Sequence, residues 1–574
     1  MSPVKRFFLL LKLDKKDIYY IYLYAIFSGL ITLTLPLGVQ AIIGLIAGGA
    51  ISSSWILLVL VVTFGTALTG ILKIMQLTVT ETLQQRIFTR AAFDIAYRLP
   101  RFKVESIHGE YAPALVNRFF DTLTLQKGIP KILTDFSTSI LQIFFGLLLL
   151  SFYHPFFIFF SILLVLIVLV IFRVTGPRGL SSSLTESKYK YKAASWLEEL
   201  ARSMGTFKLA GKSDLPLEKT DALVSNYLDA RKQHFKVLVT QYSSIVAFKV
   251  FITAGLLILG SILVIDNRLN IGQFVAAEIV VILIMASVEK LILAMETIYD
   301  VLTALEKLGS LTDIPIEQEG EGIPFEAIDT GKGISVELKD VSYQFQDAEK
   351  PALDKINLKI KPGEKVCIAG YNSAGKSTLL HVITGIYTNF TGSLTFNDVP
   401  FRSLNIVSLR AHIGDHLPQE DIFKGTLLEN ISIGHRDVSL QDVIFAVEKV
   451  GLKSFVERLP LGYNTMLLPG GKNLPRSIIA KIILARSIAS KPSLLAIEEP
   501  FSFLEQQDRE KISEFLTADE NTWTLLIVSD DPIIAAKCER IIVMRNGKIL
   551  ESGALAEIKE SEHYTKIFKT EKYQ

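Results

Sequence analysis

Long apolar runs fill the first half of the chain, whereas the second half alternates short apolar runs with more polar stretches. Each long run is close to the ~20 residues that a membrane helix needs, although the fourth is short. The runs cover residues 18–46, 54–77, 132–153, 155–173, 240–265 and 271–296. This pattern predicts six transmembrane helices.

The segments between these runs differ in length and charge. Residues 48–54, 153–154 and 266–268 form short connections, whereas 78–131 and 174–239 are long, helical in pattern and rich in Lys and Arg. Positive charge concentrates in cytoplasmic connections. We therefore expect a multi-pass protein of the plasma (inner) membrane, with both long extensions and both termini in the cytoplasm.

A few ionisable residues interrupt the apolar runs. Lys73, Glu289 and Lys290 lie toward the cytoplasmic ends, where a long side chain reaches the membrane surface. Lys249 and Glu278 lie deeper. A charge at that depth is by default a functional hypothesis, so these two residues are the better candidates for lining a cavity.

The chain divides into three parts by composition. A transmembrane domain at 1–300 is followed by an acidic, Gly-containing linker at 301–332 and by alternating strands and helices at 333–574, which predict an α/β domain. The 574 residues include 60 Lys and Arg against 58 Asp and Glu, and this balance argues against a nucleic-acid partner. The two cysteines predict no disulfide framework.

The α/β domain contains a glycine-rich loop near its beginning that is a candidate for phosphate binding. It follows the apolar run Val366–Ala369 and precedes a helical run, the context of a phosphate-binding loop. Its backbone N–H groups would cradle phosphates, Lys376 would reach the β- and γ-phosphates, and Ser377 would hold Mg²⁺. A plain Gly/Ser turn is the alternative, which the complete pattern disfavours. The loop consists of Gly370, Tyr371, Asn372, Ser373, Ala374, Gly375, Lys376, Ser377 and Thr378.

Further segments resemble a half-size ABC exporter, with a type I exporter transmembrane domain and one ABC nucleotide-binding domain, over nearly the whole chain. Trp196–Leu200 and Lys208–Gly211 resemble the second cytoplasmic extension of such exporters, and His108–Tyr111 and Asn117–Arg118 resemble the first. The resemblance implies six transmembrane helices with long cytoplasmic extensions (a membrane all-α domain) plus an α/β P-loop domain that uses ATP and Mg²⁺. No N-terminal cysteine protease domain is recognised, so leader-peptide processing is not expected.

The resemblance also implies roles for four residues outside the loop. Phe345 would stack on adenine, and Gln419, a catalytic and metal-site residue, would lie near Mg²⁺ and the coupling helices. Glu498 would complete the Mg²⁺ shell at the end of the apolar run Leu494–Ile497, and Glu499 would orient or deprotonate the attacking water.

Several positions depart from the family pattern. Ser373 stands where a glycine is usual, and Glu498 where an aspartate is usual. Leu474–Ile478 replaces the Leu-Ser-Gly-Gly-Gln signature, and Asp530 replaces the catalytic histidine. Pro469 and the segment Ser502–Glu505 also differ. The groups that bind nucleotide remain, whereas those that stabilise the transition state are lost, so we expect low intrinsic turnover.

Two functions follow from this combination. The first is ATP-driven export of a protein or peptide, a lipid or an amphiphile from the cytoplasm by a homodimer or heterodimer. The second is a catalytically degenerate regulatory or scaffolding subunit that depends on a complete ABC partner. Membrane lipid is an expected partner of either, and a periplasmic adaptor and an outer-membrane channel are left open.

Overall fold

The computed structural model describes residues 2–47, 53–107, 112–317, 320–329, 331–417 and 421–568, which form two compact units. The membrane unit comprises Met1–Phe102 and Ile107–Pro315. The α/β unit comprises Lys103–Ser106 and Ile316–Gln574.

Helices build the membrane unit. Among the described residues, six helical stretches are long and apolar enough to cross a membrane, which confirms the six predicted spans. The helices are α1 (Pro3–Leu13), α2 (Lys15–Thr32), α3 (Thr34–Ala47), α4 (Ser53–Arg98), α5 (Ala112–Val116), α6 (Asp121–Tyr153), α7 (Phe156–Arg202), α8 (Met204–Leu209), α9 (Leu215–Ile265) and α10 (Ile271–Thr312).

A buried polar cluster joins three of these helices. The Gln241 amide on α9 donates to the hydroxyls of Thr175 on α7, at 2.8 Å, and Tyr299 on α10, at 2.6 Å. A Cβ at Gly179 would lie 2.2 Å from the Tyr299 ring, so the absence of a side chain there lets the buried ring approach α7. The Gln241 amide nitrogen thus has two acceptors inside the bundle, whereas its buried carbonyl oxygen has no hydrogen-bond partner among the described residues.

The deep charges have different surroundings. The Lys249 ammonium lies 3.4 Å from the Glu289 carboxylate, which also accepts a hydrogen bond from the Tyr242 hydroxyl at 3.2 Å. Lys249 is thus exposed and paired with Glu289, whereas Glu278 is half-buried on α10. The pair accounts for Lys249 without a cavity.

The last membrane helix runs further than the composition suggests. The predicted linker at 301–332 begins inside α10, which continues to Thr312. Buried side chains recur at helical spacing through this stretch, including Val301, Leu305 and Leu308. The acidic, Gly-containing character that marks a linker begins only after this helix.

The α/β unit contains three sheets. Their strand orders are β2-β1-β4-β5, β12-β11-β3-β10-β9-β6 and β7-β8. The strands are β1 (Val336–Tyr343), β2 (Leu353–Ile360), β3 (Lys365–Gly370), β4 (Thr391–Phe396), β5 (Val399–Pro400), β6 (Ile413–His416), β7 (Gly425–Thr426), β8 (Met466–Leu467), β9 (Leu494–Glu498), β10 (Thr524–Val528), β11 (Arg540–Arg545) and β12 (Lys548–Gly553).

Ten helices accompany these strands in the described part of the unit. They are α11 (Lys376–Ile383), α12 (Ile406–Ala411), α13 (Leu427–Ser432), α14 (Leu440–Lys449), α15 (Lys453–Glu457), α16 (Arg476–Ala489), α17 (Gln506–Thr517), α18 (Pro532–Ala535), α19 (Leu555–Lys559) and α20 (Tyr564–Ile567).

The six-stranded sheet positions the site. Strands β3, β9 and β10 are buried along their whole length and pair in parallel, as continuous apolar runs do. Their carboxyl ends therefore meet at one edge of the sheet. The residues that follow each strand are brought together there.

Candidate nucleotide-binding site

The phosphate loop links β3 to α11 at this edge. Gly375 has a φ of +95°, and a Cβ there would lie 2.5 Å from the carbonyl oxygen of Ala352. Only glycine fits both constraints. Helix α11 begins directly afterwards at Lys376, so its unpaired first N–H groups follow the loop.

Ser373 occupies a backbone conformation that favours glycine. Its φ is +60°, in the left-handed region. A side chain costs about 1–2 kcal/mol there. The departure from glycine noted in the sequence therefore places strain in the loop itself.

The Lys376 ammonium has two contacts in the site, a carbonyl oxygen and a carboxylate. Its Nζ donates to the carbonyl oxygen of Gly370 at 2.6 Å and lies 3.7 Å from Oδ2 of Asp530. The Gly370 N–H lies 3.4 Å from the other oxygen of Asp530. The carboxylate at 530 thus lies against the lysine that the sequence assigns to phosphate, a contact that sequence reasoning did not predict.

The proposed magnesium ligands are adjacent. The Ser377 hydroxyl donates to the Glu498 carboxylate, which ends strand β9. Glu498 is buried, and its second oxygen has no hydrogen-bond partner among the described residues. A hydroxyl and a carboxylate with a spare oxygen are ligands that suit Mg²⁺, so these residues fit the ion despite the longer Glu side chain.

Glu499 lies one residue beyond β9, in a strained conformation. Its φ is +47°, and its N–H donates to the Val528 carbonyl at 2.9 Å, which anchors the turn to β10. Partial removal from water, followed by the charge of Asp530, raises the pKa of the Glu499 carboxyl, while Lys376 opposes the shift. A carboxylate of raised basicity suits a group that accepts a proton from water.

A cavity of about 460 Å³ collects most of the predicted residues. Phe345, Glu498, Glu499 and Asp530 line it together with residues 372–378 and Ala352. The Phe345 ring packs edge-on against Tyr343 and Tyr387, with centroids 5.1 and 5.7 Å apart. The aromatic, the loop and the carboxylates therefore surround one space.

Three predicted residues stand apart from the lining of this cavity. Tyr371 contacts His563, with 3.2 Å between the hydroxyl and Nδ1, and the Arg545 guanidinium lies 5.2 Å from its ring centroid. Gly370 ends β3 and makes the backbone contacts described above. Gln419 lies outside the described residues.

The segment that replaces the family signature has a defined structure. Helix α16 begins at Arg476 directly after Pro475, whose side chain provides no cap. The Arg476 guanidinium lies 5.1 Å from the ring centroid of Phe503. Neither Pro475 nor Arg476 is among the residues that line the cavity.

Comparison with known proteins identifies the class. An ABC transporter transmembrane region matches residues 18–288, and an ABC transporter nucleotide domain matches residues 353–502. The chain therefore belongs to the ABC transporters. Because both domains occur in one chain, it has the arrangement of a half-size ABC exporter.

Known proteins resemble the chain to different extents. A bacterial Atm1-family ABC exporter with ATP bound has the same fold, with a TM-score of 0.87, 17% identity and coverage of 96% of this chain and 98% of that chain. An ATP-dependent lipid A-core flippase of Methylobacillus flagellatus is 24% identical over 65% of this chain and 63% of its own length. The transport/processing protein ComA of Streptococcus pneumoniae is 28% identical over 54% of this chain.

The matched regions are only part of some relatives. The chain spans 41% of the length of the Bacillus subtilis ABC transporter YfiB and 42% of ComA. The comparisons thus establish a chain with the transmembrane region and the ATP-binding region of an ABC transporter, in which six helical stretches of the described residues are long and apolar enough to cross a membrane.

Proposed function

We propose that the chain binds Mg·ATP in the 460 Å³ cavity and exports a substrate from the cytoplasm across the inner membrane as a dimer. The observation that carries the proposal is the phosphate loop with Lys376 beside the hydrogen-bonded pair of Ser377 and Glu498. These groups offer a cation, a hydroxyl and a carboxylate around a loop of backbone N–H groups, which suits a nucleotide phosphate with its metal ion.

Each residue has a separate task in this proposal. Phe345 offers a flat face for adenine, and Lys376 neutralises phosphate charge. Ser377 and Glu498 would hold Mg²⁺, which when bound would neutralise negative charge on the phosphate oxygens. Glu499 orients water or accepts its proton. Gln419 would lie near the metal and the coupling helices by family resemblance.

Dimerisation follows from the family resemblance, because the signature segment of one ABC subunit completes the site of the other. The sequence of this chain is compatible with a homodimer or with a heterodimer that includes a complete ABC half. A relative named as a lipid A-core flippase supports a lipid as the substrate class, and a protein, a peptide or an amphiphile remains compatible with the same pathway. A periplasmic adaptor and an outer-membrane channel would belong to the peptide pathway.

A specific contact favours the second function, a degenerate subunit. Asp530 lies 3.7 Å from Lys376, where the family has a histidine. A carboxylate here competes with phosphate for the lysine and repels charge that develops on the γ-phosphate. Nucleotide binding would survive this change better than hydrolysis.

Steady-state turnover distinguishes the two functions. We expect the purified native chain to hydrolyse ATP slowly while it still binds ATP. Asp530→His should raise kcat by about 10²–10³, the change typical of one transition-state donor. Glu499→Gln provides the background rate.

The possible results have different consequences. Turnover of tens per second in the native chain, abolished by Glu499→Gln, would contradict the degenerate subunit and support an ordinary exporter. No ATP binding to the native chain would contradict both functions.

The proposed topology has its own test. Cysteines at Ser53 and Arg268 should react with an impermeant thiol reagent outside the cell, whereas those at Lys188 and Lys472 should not. All four positions are exposed. Ser183 is unsuitable because it is buried, with its hydroxyl 2.9 Å from Thr303. Labelling of Lys188→Cys from outside would contradict cytoplasmic extensions.

A further inference from the structure

We propose that the N-terminal helix α1 and the apolar cavity beneath it bind one anionic diacyl phospholipid. The cavity measures about 330 Å³ and lies between α1, α2, α6 and α10. Apart from Tyr22, every side chain that lines it is apolar. The α1 contribution is Val4, Phe7, Phe8 and Leu11, and Phe136 and Leu302 lie among the residues on the opposite walls.

Helix α1 has an apolar face and an adjacent basic edge. The four lining positions follow a helical spacing of three and four residues, so they share one face. Lys5 and Lys12 are seven residues apart and each directly follows a lining residue, which places both on the same edge of that face. Both lysines are exposed.

The lysines at this end of the chain keep their positive charge, because the nearby carboxylates pair with arginines. Asp14 pairs with Arg90 at 3.1 Å, Asp17 pairs with Arg86, and Asp313 pairs with Arg6 at 2.5 Å. The arginines therefore use the nearby acids. In the described part of the chain, no carboxylate pairs with the neighbouring lysines, which are Lys5, Lys12, Lys15 and Lys16.

The position of α1 next to a membrane span indicates which kind of molecule binds the cavity. The helix directly precedes the first membrane span, and a basic amphipathic helix next to a span lies at the membrane surface. A free phosphate would satisfy the lysines but not the apolar walls. A neutral lipid would fill the cavity but not the charge. An anionic phospholipid satisfies both, with part of one acyl chain in the cavity and its headgroup beside the lysines.

Native mass spectrometry of the full, delipidated chain in detergent tests this site. An equimolar mixture of dioleoylphosphatidylglycerol and dioleoylphosphatidylcholine is added at low ionic strength. We expect preferential retention of phosphatidylglycerol, reduced about 30-fold in Lys5→Gln/Lys12→Gln, since two lysines near an anionic surface contribute about 1 kcal/mol each. Lys350→Gln/Lys361→Gln, which removes the same charge from exposed positions of the α/β unit, should retain the lipid as the native chain does.

A second pair of variants tests the cavity. Val4→Trp adds a large side chain to the cavity wall and should lower phosphatidylglycerol retention, whereas Leu13→Trp on the opposite side of α1 should not. Equal retention of the two lipids would overturn the proposal, as would equal effects within either variant pair. Glycerol phosphate that binds as well as phosphatidylglycerol would also overturn it, because the acyl chains would then contribute nothing.

Discussion

Strand β10 and helix α4 are both strongly apolar, but their apolar residues have opposite surroundings. All five residues of β10 are buried in the α/β unit. In the span that contains α4, only 6% of the most apolar window is buried inside the protein. An apolar sequence therefore indicates a protein core in one unit and a lipid-facing surface in the other.

Helix α10 shows that position in the bundle also matters. Half of its most apolar window is buried, although its hydropathy, 2.2, is close to the 2.3 of the α4 span. Apolar side chains leave water in either environment, so the hydrophobic effect does not decide between lipid and protein. Neighbouring helices decide it. Variants of two leucines and of Gly179 test this contrast, and three further predictions concern the α/β unit alone; the five run from the largest expected effect to the smallest.

Truncation of a leucine should have different costs in the two units. Leu526 on β10 is fully buried, so Leu526→Ala should cost about 2–5 kcal/mol through lost burial and a cavity. Leu57 on α4 is 64% exposed, and Leu57→Ala should cost less than about 0.5 kcal/mol. Thermal unfolding in detergent, followed by tryptophan fluorescence, measures both. Equal losses would contradict the contrast.

Loss of the loop lysine should affect nucleotide response rather than folding. At ATP 100-fold above its dissociation constant, the native chain should gain about 2.7 kcal/mol of stability. Lys376→Ala should abolish this gain because its cation is lost, whereas Lys361→Ala, at an exposed position, should keep it. Thermal shifts with Mg·ATP measure the difference. An unchanged shift in Lys376→Ala would contradict the site.

The stability of the membrane unit should be sensitive to an added methyl group at Gly179, where a helix packs closely against a buried ring. A methyl group there would meet the buried Tyr299 ring, so Gly179→Ala should cost about 1–3 kcal/mol by overpacking. Gly176→Ala on the same helix meets nothing within 4 Å and is the matched control. Similar melting temperatures for the two variants would contradict the tight contact.

A charged cap on α14 should make stability depend on pH. Lys491, followed by Ser439, lowers the pKa of Asp442 from 3.8 to about 2. Its stabilisation is therefore complete above its ordinary pKa and is lost as pH falls through about 2. Asp442→Asn should cost about 0.3–1 kcal/mol at neutral pH, because the first turn of α14 loses a negative charge beside the helix N-terminus. Denaturation at several pH values measures this, and a cost that persists below pH 2 would contradict the assignment.

The smallest effect is expected in the phosphate loop. Ser373→Gly relieves the left-handed strain but adds unfolded-state entropy, so the net gain should be under about 1 kcal/mol. Ala374→Gly adds the same entropy without relief and should destabilise the chain by about 0.5–1 kcal/mol. Thermal unfolding without nucleotide compares them. A less stable Ser373→Gly would show that the serine is not strained.

Much of the fold could be predicted because its signals are local. Six apolar runs are each long enough to span a membrane, and the complete glycine loop between an apolar run and a helix indicates a phosphate site. The end of the last membrane helix, α10, was harder to predict from the sequence. Its helical continuation to Thr312 depends on buried contacts of Val301 and Leu308 that composition does not reveal.

By itself, the sequence determined the domain order, the phosphate loop and the loss of the signature glycines, because these depend on residue type and short-range spacing. Only the tertiary structure decided that Asp530 faces Lys376, that Tyr371 points to His563, and that α1 covers an apolar cavity. Each of these contacts joins residues far apart in the chain. They arise because parallel strands end at one sheet edge and because helices pack side by side. Neither arrangement can be predicted from a single segment of the sequence.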